Sequence, residues 1–416
     1  MGGGLVTIVR RTAPASRPKR DIFVMVLAGL SGVVGGLFWS GPLPALGFVS
    51  AVPVAGLLFP KGSSFVFFLS YYLTATRSIP AFYPIFYAGS NLLSGVPVWL
   101  AWGVCLALPW ILARRLPEKW SAFRLPLGYL PSFFPPLWFI GAASPLLSAG
   151  ALFPGTGIGG LLCLVVWQMG LLEGLGSRRK TLVALCLVFP VLATLSNAGY
   201  RNPPNPAGWT AIGTHDEPRR VLDRTRWEMK IARKVLSALY SGARTVLLPE
   251  GIGNFWTKDQ AGLIVLPFPW SVLDREAREK GAVVLVGSEI PRDSRLRVWD
   301  DSLVVMGRGG IRAVPARQPI PVAGWNPISR THHEPAHWRR TNVVEIEGRR
   351  AEISLCFEDL LVGAQVEAIL PGNPTVILSA DSLWFSKGTS DRPFQSVSIR
   401  SVGRLFGIPV LRAVNQ

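Results

Sequence analysis

Charged side chains are scarce in this chain: Asp, Glu, Lys and Arg together make up 16% of its 416 residues. That composition, with half the residues apolar, excludes an intrinsically disordered chain, which needs the opposite balance. Acidic residues are the scarcer sign, 25 against 43 Lys and Arg, a formal charge of +18. With only four cysteines, a disulfide-dense secreted scaffold is excluded. Internal repeats, a phosphate-cradling glycine loop and a paired-cysteine metal motif are all missing. No Lys occurs between Lys280 and Lys387. Apolar residues are what the chain has in plenty: 49%, with a mean hydropathy of +0.34. Low charge density with a cationic excess points to a membrane protein with basic cytoplasmic loops. The charge alone suggests nucleic acid, but no aromatic-basic stacking motif accompanies it, and no direct nucleic-acid contact is expected.

The composition changes near residue 197. Before it, apolar stretches run over Ile22–Trp39, Leu43–Phe59, Ser63–Thr76, Leu92–Ala113, Leu127–Ala149, Gly157–Leu175 and Leu182–Ser196. A crossing helix needs about 20 apolar residues, so Ser63–Thr76 and Leu182–Ser196 are short for the task. The first stretch follows Arg10, Arg11, Arg17, Lys19 and Arg20 without a small-residue cleavage site after it, and reads as a retained anchor. Seven crossings put that basic N-terminus, Lys61, the Arg114–Arg124 loop and the Arg178–Lys180 loop on one side, cytoplasmic by the positive-inside rule. Everything after Asn197 then lies across a bacterial inner membrane, in the periplasm. One crossing fewer moves it to the other side.

The expected organisation is a basic cytoplasmic N-terminus over 1–21, a transmembrane bundle over 22–197, a linker over 198–219 and an extracytoplasmic domain over 220–416. In the last, Arg220–Ala243 carries apolar residues at helical spacing with Arg226, Lys230 and Lys234 between them, an amphipathic helix. Strands are predicted at Thr245–Leu248, Ala282–Val286, Ser302–Met306, Asn342–Ile346, Glu352–Leu355 and Thr375–Ser379, and helices at Asp359–Leu370 and Pro393–Phe406. Strands alternating with helices imply an α/β layered domain. Gly307-Arg308-Gly309-Gly310 reads as a hairpin turn.

Cys105, Cys163 and Cys186 lie in apolar stretches and pass as small hydrophobes. Cys356 is the one cysteine of the second half. An unpaired thiol in an oxidising compartment is either buried or kept for reactivity. It stands where a strand turns into a helix, which exposes a nucleophile beside helix N-terminal amides. Glu358 belongs either to the same site or to the helix N-terminus. Glu250 ends another apolar strand, in Leu247-Leu248-Pro249-Glu250-Gly251. His332, His333, Glu334 and His337 form an acid-histidine run, but Pro335 interrupts it and no metal site is expected. Three aromatic loops, Asn254–Trp256, Pro267–Trp270 and Leu383–Phe385, read equally as core and as lids that dip into a bilayer.

A Glu at one strand end and Cys-aromatic-Glu at a later one resemble the carbon–nitrogen hydrolase (nitrilase) superfamily. The apolar half narrows the resemblance to the apolipoprotein N-acyltransferase family. Leu248-Pro249-Glu250 is similar to its Trp-Pro-Glu motif, and Leu355-Cys356-Phe357-Glu358 to its Ile-Cys-Tyr-Glu motif. Ser379–Phe385, with Asp381 and Trp384, is similar to a further loop, and Gly407–Asn415 to a segment near the family's end. The resemblance implies an α-β-β-α sandwich after the membrane bundle, with Cys356 as nucleophile and Glu250 as base. It implies Phe357 and Trp384 at the substrate, a phospholipid bilayer as acyl source, an amine or lipoprotein acceptor, and no cofactor.

Two departures stand out. Where the family has its catalytic Lys this chain has Ala316, and Gly324 takes the place of a second Glu. Arg317 or Arg312 is then the candidate to supply charge to the oxyanion, although an arginine does not exchange a proton at working pH. The family also continues with further strands and a last membrane helix where this sequence stops at Gln416. The pattern resembles the family's plasmid-borne conjugal-transfer relatives, which implies conjugation-machinery partners and either altered turnover or a catalytically inactive scaffold.

Overall fold

The computed structural model describes residues 18–87, 90–215, 221–321, 323–386 and 389–416, so Arg10, Arg11 and Arg17 lie outside the described residues. Its first half is helical: α1 (Pro18–Leu37), α2 (Val52–Leu58), α3 (Lys61–Ala75), α4 (Ile79–Phe86), α5 (Leu92–Ala113), α6 (Arg124–Tyr129), α7 (Ser148–Leu152), α8 (Ile158–Gly176), α9 (Lys180–Cys186) and α10 (Val188–Ala198). Four helical stretches among the described residues are long and apolar enough to cross a membrane: Arg20–Ser40, Leu92–Ala113, Ile158–Gly176 and Lys180–Ala198. Their outward positions carry Phe23, Leu30, Leu93, Val166 and Leu195, all exposed.

The other predicted crossings take a different form. Ser63–Thr76 falls in α3, whose 15 residues span too little. Leu43–Phe59 divides into a 3-10 helix, Leu43–Ala51, and α2. Leu127–Ala149 breaks into several short pieces, because Pro131, Pro135, Pro136 and Pro145 each withhold an amide and clash with the turn before. Helix α1 lies against α3 through Gly32 and Gly36. A Cβ at Gly32 would stand 2.2 Å from the Phe67 carbonyl, so only glycine lets the two backbones touch.

The second half has strands β1 (Trp209–Ala211), β2 (Thr245–Leu247), β3 (Thr257–Lys258), β4 (Ile264–Val265), β5 (Val283–Asp293), β6 (Val298–Gly307), β7 (Arg312–Pro315), β8 (Val343–Ile346), β9 (Arg349–Leu355), β10 (Val376–Ser382) and β11 (Val410–Asn415). Its helices are α11 (Val221–Tyr240), α12 (Trp270–Glu279), α13 (Val362–Gly372) and α14 (Asp391–Phe406). One sheet has the order β1-β2-β5-β6-β7 and the other β11-β10-β9-β8, while β3 and β4 form a separate hairpin. The predicted linker therefore contributes a strand, β1, parallel to β2. Gly307–Gly310 is the predicted turn, joining antiparallel β6 and β7.

Period-2 alternation builds the layers. Leu247, Leu285, Leu303 and Val305 of the first sheet meet Ile353, Leu355, Leu378 and Leu411 of the second. The opposite faces of the first sheet, Val246, Val284, Val304 and Met306, pack under α11 and α12 with Ile231, Val235 and Leu273. Val362, Val366 and Ile369 of α13 and Phe394, Val397 and Val402 of α14 cover the second sheet. The domain is thus an α-β-β-α sandwich. Helix α14 also packs on Trp39, Leu46 and Leu146 of the helical half, and α13 on its turns Leu130–Phe133 and Leu137–Gly141.

Candidate active site

The β9 strand ends at Leu355, and Cys356 opens a 3-10 turn, Cys356–Leu360, before α13 begins. Cys356 has φ +40, a left-handed conformation that costs a non-glycine residue about 1 kcal/mol or more. Surrounding bonds hold it there. Gln395 Nε2 of α14 donates to the Cys356 carbonyl and, at 3.2 Å, to Asp381 Oδ1. Arg412 Nη2 stands 2.6 Å from Asp381 Oδ2, and its Nε is 3.9 Å from Asp359 Oδ2. Ser379 and Ser354 hydroxyls donate to Asp359 at 2.7 and 2.5 Å.

Glu250 follows β2 and reaches Cys356 from the other sheet. Its carboxyl is hydrogen-bonded to the Cys356 thiol and to Asp301, and its Oε2 accepts from the Ser382 amide at 3.0 Å. The approach depends on Gly287 of β5, where a Cβ would stand 2.3 Å from Glu250 Cα. Burial pushes the Glu250 carboxyl well above the usual range, and the Asp301 charge pushes it further. Burial also raises the Cys356 thiol, with Glu250 and then Asp381 adding to it and the Ser382 amide opposing.

Glu358 makes a different set of contacts. Its carboxylate accepts from the Leu355 amide at 3.1 Å, from the Gln318 amide at 2.9 Å, and from the Arg317 amide. It ties the end of β9 to the segment after β7, and burial holds it at about 7 against the pull of Arg317 and those three amides. We expect Glu358→Ala to lower stability by about 3 kcal/mol, since it strands three buried N–H groups. Thermal unfolding in detergent checks this; an unchanged midpoint would mean those amides find other partners.

Arg317 is held by its surroundings. Its guanidinium donates to the Ala364 carbonyl, lies 3.4 Å from Glu367 Oε2, and stacks over Trp138 at 4.6 Å. It is bound on the α13 side. Arg312 bonds the Glu345 carbonyl at 2.5 Å on the exposed edge of β7. Ala316 is buried, its amide bonded to the Asp301 carbonyl at 2.8 Å. Among the described residues, therefore, no arginine or lysine pairs with Glu250.

An apolar cavity of about 120 Å³ opens onto Cys356. Its walls include Phe82, Tyr87 and Trp102 from the helical half and Phe357, Phe385 and Phe394 from the sandwich. Phe357 meets Trp102 edge-on at 6.1 Å, and Phe385 meets Phe82 at 5.3 Å. Phe357 thus lines the cavity, and so does Phe385, one residue beyond Trp384. In the remaining aromatic loops Trp256 and Trp270 are core, while Phe255 and Phe268 are exposed.

The sequence reading missed Asp301, Asp359, Gln395 and Arg412. Asp301 had a signal: it falls on the same strand parity as Leu303 and Val305, hence on the inner face. His337 Nε2 lies 2.7 Å from Asp300 Oδ1 and His332 contacts Arg297. No group of three metal-ligating side chains occurs among the described residues.

No family model matches this chain. It is 28% identical to the conjugal transfer protein TraB of Agrobacterium fabrum, over 96% of this chain and 95% of that one. It is 26% identical to a probable conjugal transfer protein TraB of Sinorhizobium fredii, over 92% and 96%. Among solved structures, an amidase from Nesterenkonia sp. matches with a TM-score of 0.36 at 15% identity, over 50% of this chain and 75% of that one. A carbon-nitrogen hydrolase from Helicobacter pylori matches with a TM-score of 0.37 at 11% identity, over 50% and 72%. The sandwich assignment rests on the strand order and packed layers described above.

Proposed function

We propose that this chain is an inner-membrane protein of conjugal plasmid transfer whose sandwich, on the periplasmic side, carries an acyl-transfer site. The reading is supported first by Glu250 meeting, from the other sheet, the Cys356 thiol, which lines a cavity walled by both halves. In the step proposed, Glu250 takes the thiol proton and sulfur attacks a phospholipid acyl ester. The acyl carbon–oxygen bond breaks, the leaving alkoxide takes a proton from Glu250, and a thioester remains for an amine, such as a lipoprotein N-terminus. Exposed Phe255, Leu263 and Phe268, on the segment after Glu250, favour a bilayer beside the site. The conjugation role comes from the two relatives named TraB.

The test is to incubate the detergent-purified protein with labelled phospholipid and look for a hydroxylamine-sensitive acyl group on Cys356. We expect label in the wild type and at least 100-fold less in Glu250→Gln. A blank beside a labelled, active N-acyltransferase would discard acyl transfer. That outcome would favour a second reading, a catalytically inactive scaffold of the conjugation machinery. Its own support is that no cation is paired with Glu250 among the described residues, together with the raised thiol. The orientation has a separate check, in which a membrane-impermeant thiol reagent should label an exposed position of the sandwich in intact spheroplasts.

A further inference from the structure

Helix α14 is buried along most of its length, and its faces serve different halves of the protein. Asp391, Phe394, Ser401 and Arg404 fall on one stripe of the helix, and all four touch the helical half. Ser78, in the link between α3 and α4, donates its hydroxyl to Asp391 Oδ1. Phe394 meets Trp39 edge-on at 5.1 Å, and Trp39 is itself fixed by the Tyr71 hydroxyl, which accepts from its Nε1 at 2.9 Å. Ser401 donates to the Leu147 carbonyl, and Arg404 Nη2 to Asn197 Oδ1 at 2.5 Å. Gln395, one position round from Phe394, turns to the sandwich instead. Its Nε2 donates to the Cys356 carbonyl and, at 3.2 Å, to Asp381 Oδ1.

The first turn of α14, Asp391–Gln395, thus joins a hydroxyl of the helical half to the backbone of the cysteine. That backbone is where the connection counts. Cys356 sits at φ +40, a region that an L residue leaves when nothing holds it there. A return to negative φ would rotate the peptide and swing Sγ away from the Glu250 carboxyl to which it is bonded. Asp391, Phe394, Gln395 and Cys356 also line one cavity, so a shift of this turn reshapes the space in front of the thiol.

We propose that Gln395 and Asp391 are positioning residues of Cys356, and that the first turn of α14 transmits the seating of the sandwich on the helical half to the thiol. This rests on Cys356 being the nucleophile, and not on which acyl donor it attacks. The helical half is then part of the site twice over, through the cavity walls and through the bond from Ser78. An acidic residue in the first turn also suits the helix N-terminus by its charge alone. The two roles separate experimentally, because Asn at 391 loses the charge but still accepts from Ser78.

The test uses full-length protein in detergent carrying Cys105→Ser, Cys163→Ser and Cys186→Ser, so that iodoacetamide reads Cys356 alone. Gln395→Met keeps the length of the side chain and removes both donors, and should slow alkylation at neutral pH about tenfold or more. Ser78→Ala and Asp391→Ala should each reproduce most of that slowing, and Asp391→Asn should recover the rate. Ser401→Ala removes another bond between α14 and the helical half, about three turns further along. It should lower the unfolding midpoint and leave the alkylation rate at that of the parent. The Ser78 and Asp391 readings stand even if Gln395→Met fails to fold. Parent rates in Gln395→Met and Ser78→Ala would overturn the proposal. So would equal slowing by Asp391→Asn and Asp391→Ala, or slowing by Ser401→Ala as large as that by Ser78→Ala. A phospholipid blank with the rates changed as stated removes acyl transfer and leaves the positioning in place. Acyl labelling with unmoved rates does the reverse.

Discussion

Arg412→Ala is expected to cost about 3–5 kcal/mol of stability at neutral pH, a large share of what holds a chain of ordinary stability folded. Arg412 is the cation beside two buried carboxyls, Asp359 and Asp381. Burial already raises both, and the Arg412 charge pulls both back. Without it each rises further. An acid raised on folding loses stability as pH climbs from its unfolded value to its folded one. The deficit of Arg412→Ala is therefore largest at neutral pH and shrinks as the solution approaches about pH 4, where the unfolded carboxyls also hold their protons. Thermal unfolding across that range gives the answer, and a deficit that grows on acidification would contradict the argument. Adding Asp381→Asn to Arg412→Ala should recover part of the loss, because one buried charge no longer needs a partner.

The second large effect is at Gly363, in the first turn of α13. A Cβ there would stand 1.9 Å from the Ser132 carbonyl of the helical half, and Ser132 is itself buried. Glycine in a helix costs up to about 1 kcal/mol relative to alanine, so its presence marks a backbone that must come close. Gly363→Leu has no flexible neighbour to displace, and α13 must move off the turn formed by Leu130–Phe133. That motion pulls Arg317 from Trp138 and opens the cavity at Phe357, next to Cys356. We expect a loss of about 3 kcal/mol or more in unfolding experiments, with acyl labelling of Cys356 abolished. Gly176→Ala, where nothing lies within 4 Å, should behave as wild type. Equal behaviour of the two variants would show that the halves are not held by this contact.

Where the sequence has strong periodicity it reads well. The apolar run of Ser302–Met306 falls within β6, and that of Thr375–Ser379 meets β10 from Val376 on. The weak elements are those whose pairing comes from far away. β1 has three residues in a Pro/Asn/Gly segment and exists because β2 aligns with it. α12 has a charged exterior, so its apolar face, Trp270, Leu273 and Ala277, is small. At the site, the thiol and its carboxylate neighbour were legible because each ends a strand. Arg317 looked available because sequence adjacency to Ala316 says nothing of direction. The chain turns there, and the guanidinium is bound under α13. Glu334 was visible only as part of a histidine-rich run, and its place beside Gly324 depends on a loop whose path no local pattern encodes.

The bridge between Thr214 and Asn415 has a consequence for the order in which the protein is made. The Thr214 hydroxyl donates to Asn415 Oδ1 at 2.8 Å, two residues paired across 201 positions of chain. Strand β10 is likewise incomplete until β11 lies beside it. Long-range parallel pairing of this kind is slow, because the loop must be closed before any contact compensates for it. The helical half needs no such wait and will have settled in its membrane while the sandwich is still open. For that interval Cys356 and the inner faces of both sheets are exposed to proteases and to other copies. Yield of intact protein should then depend on chaperones acting on the sandwich rather than on insertion of the helices.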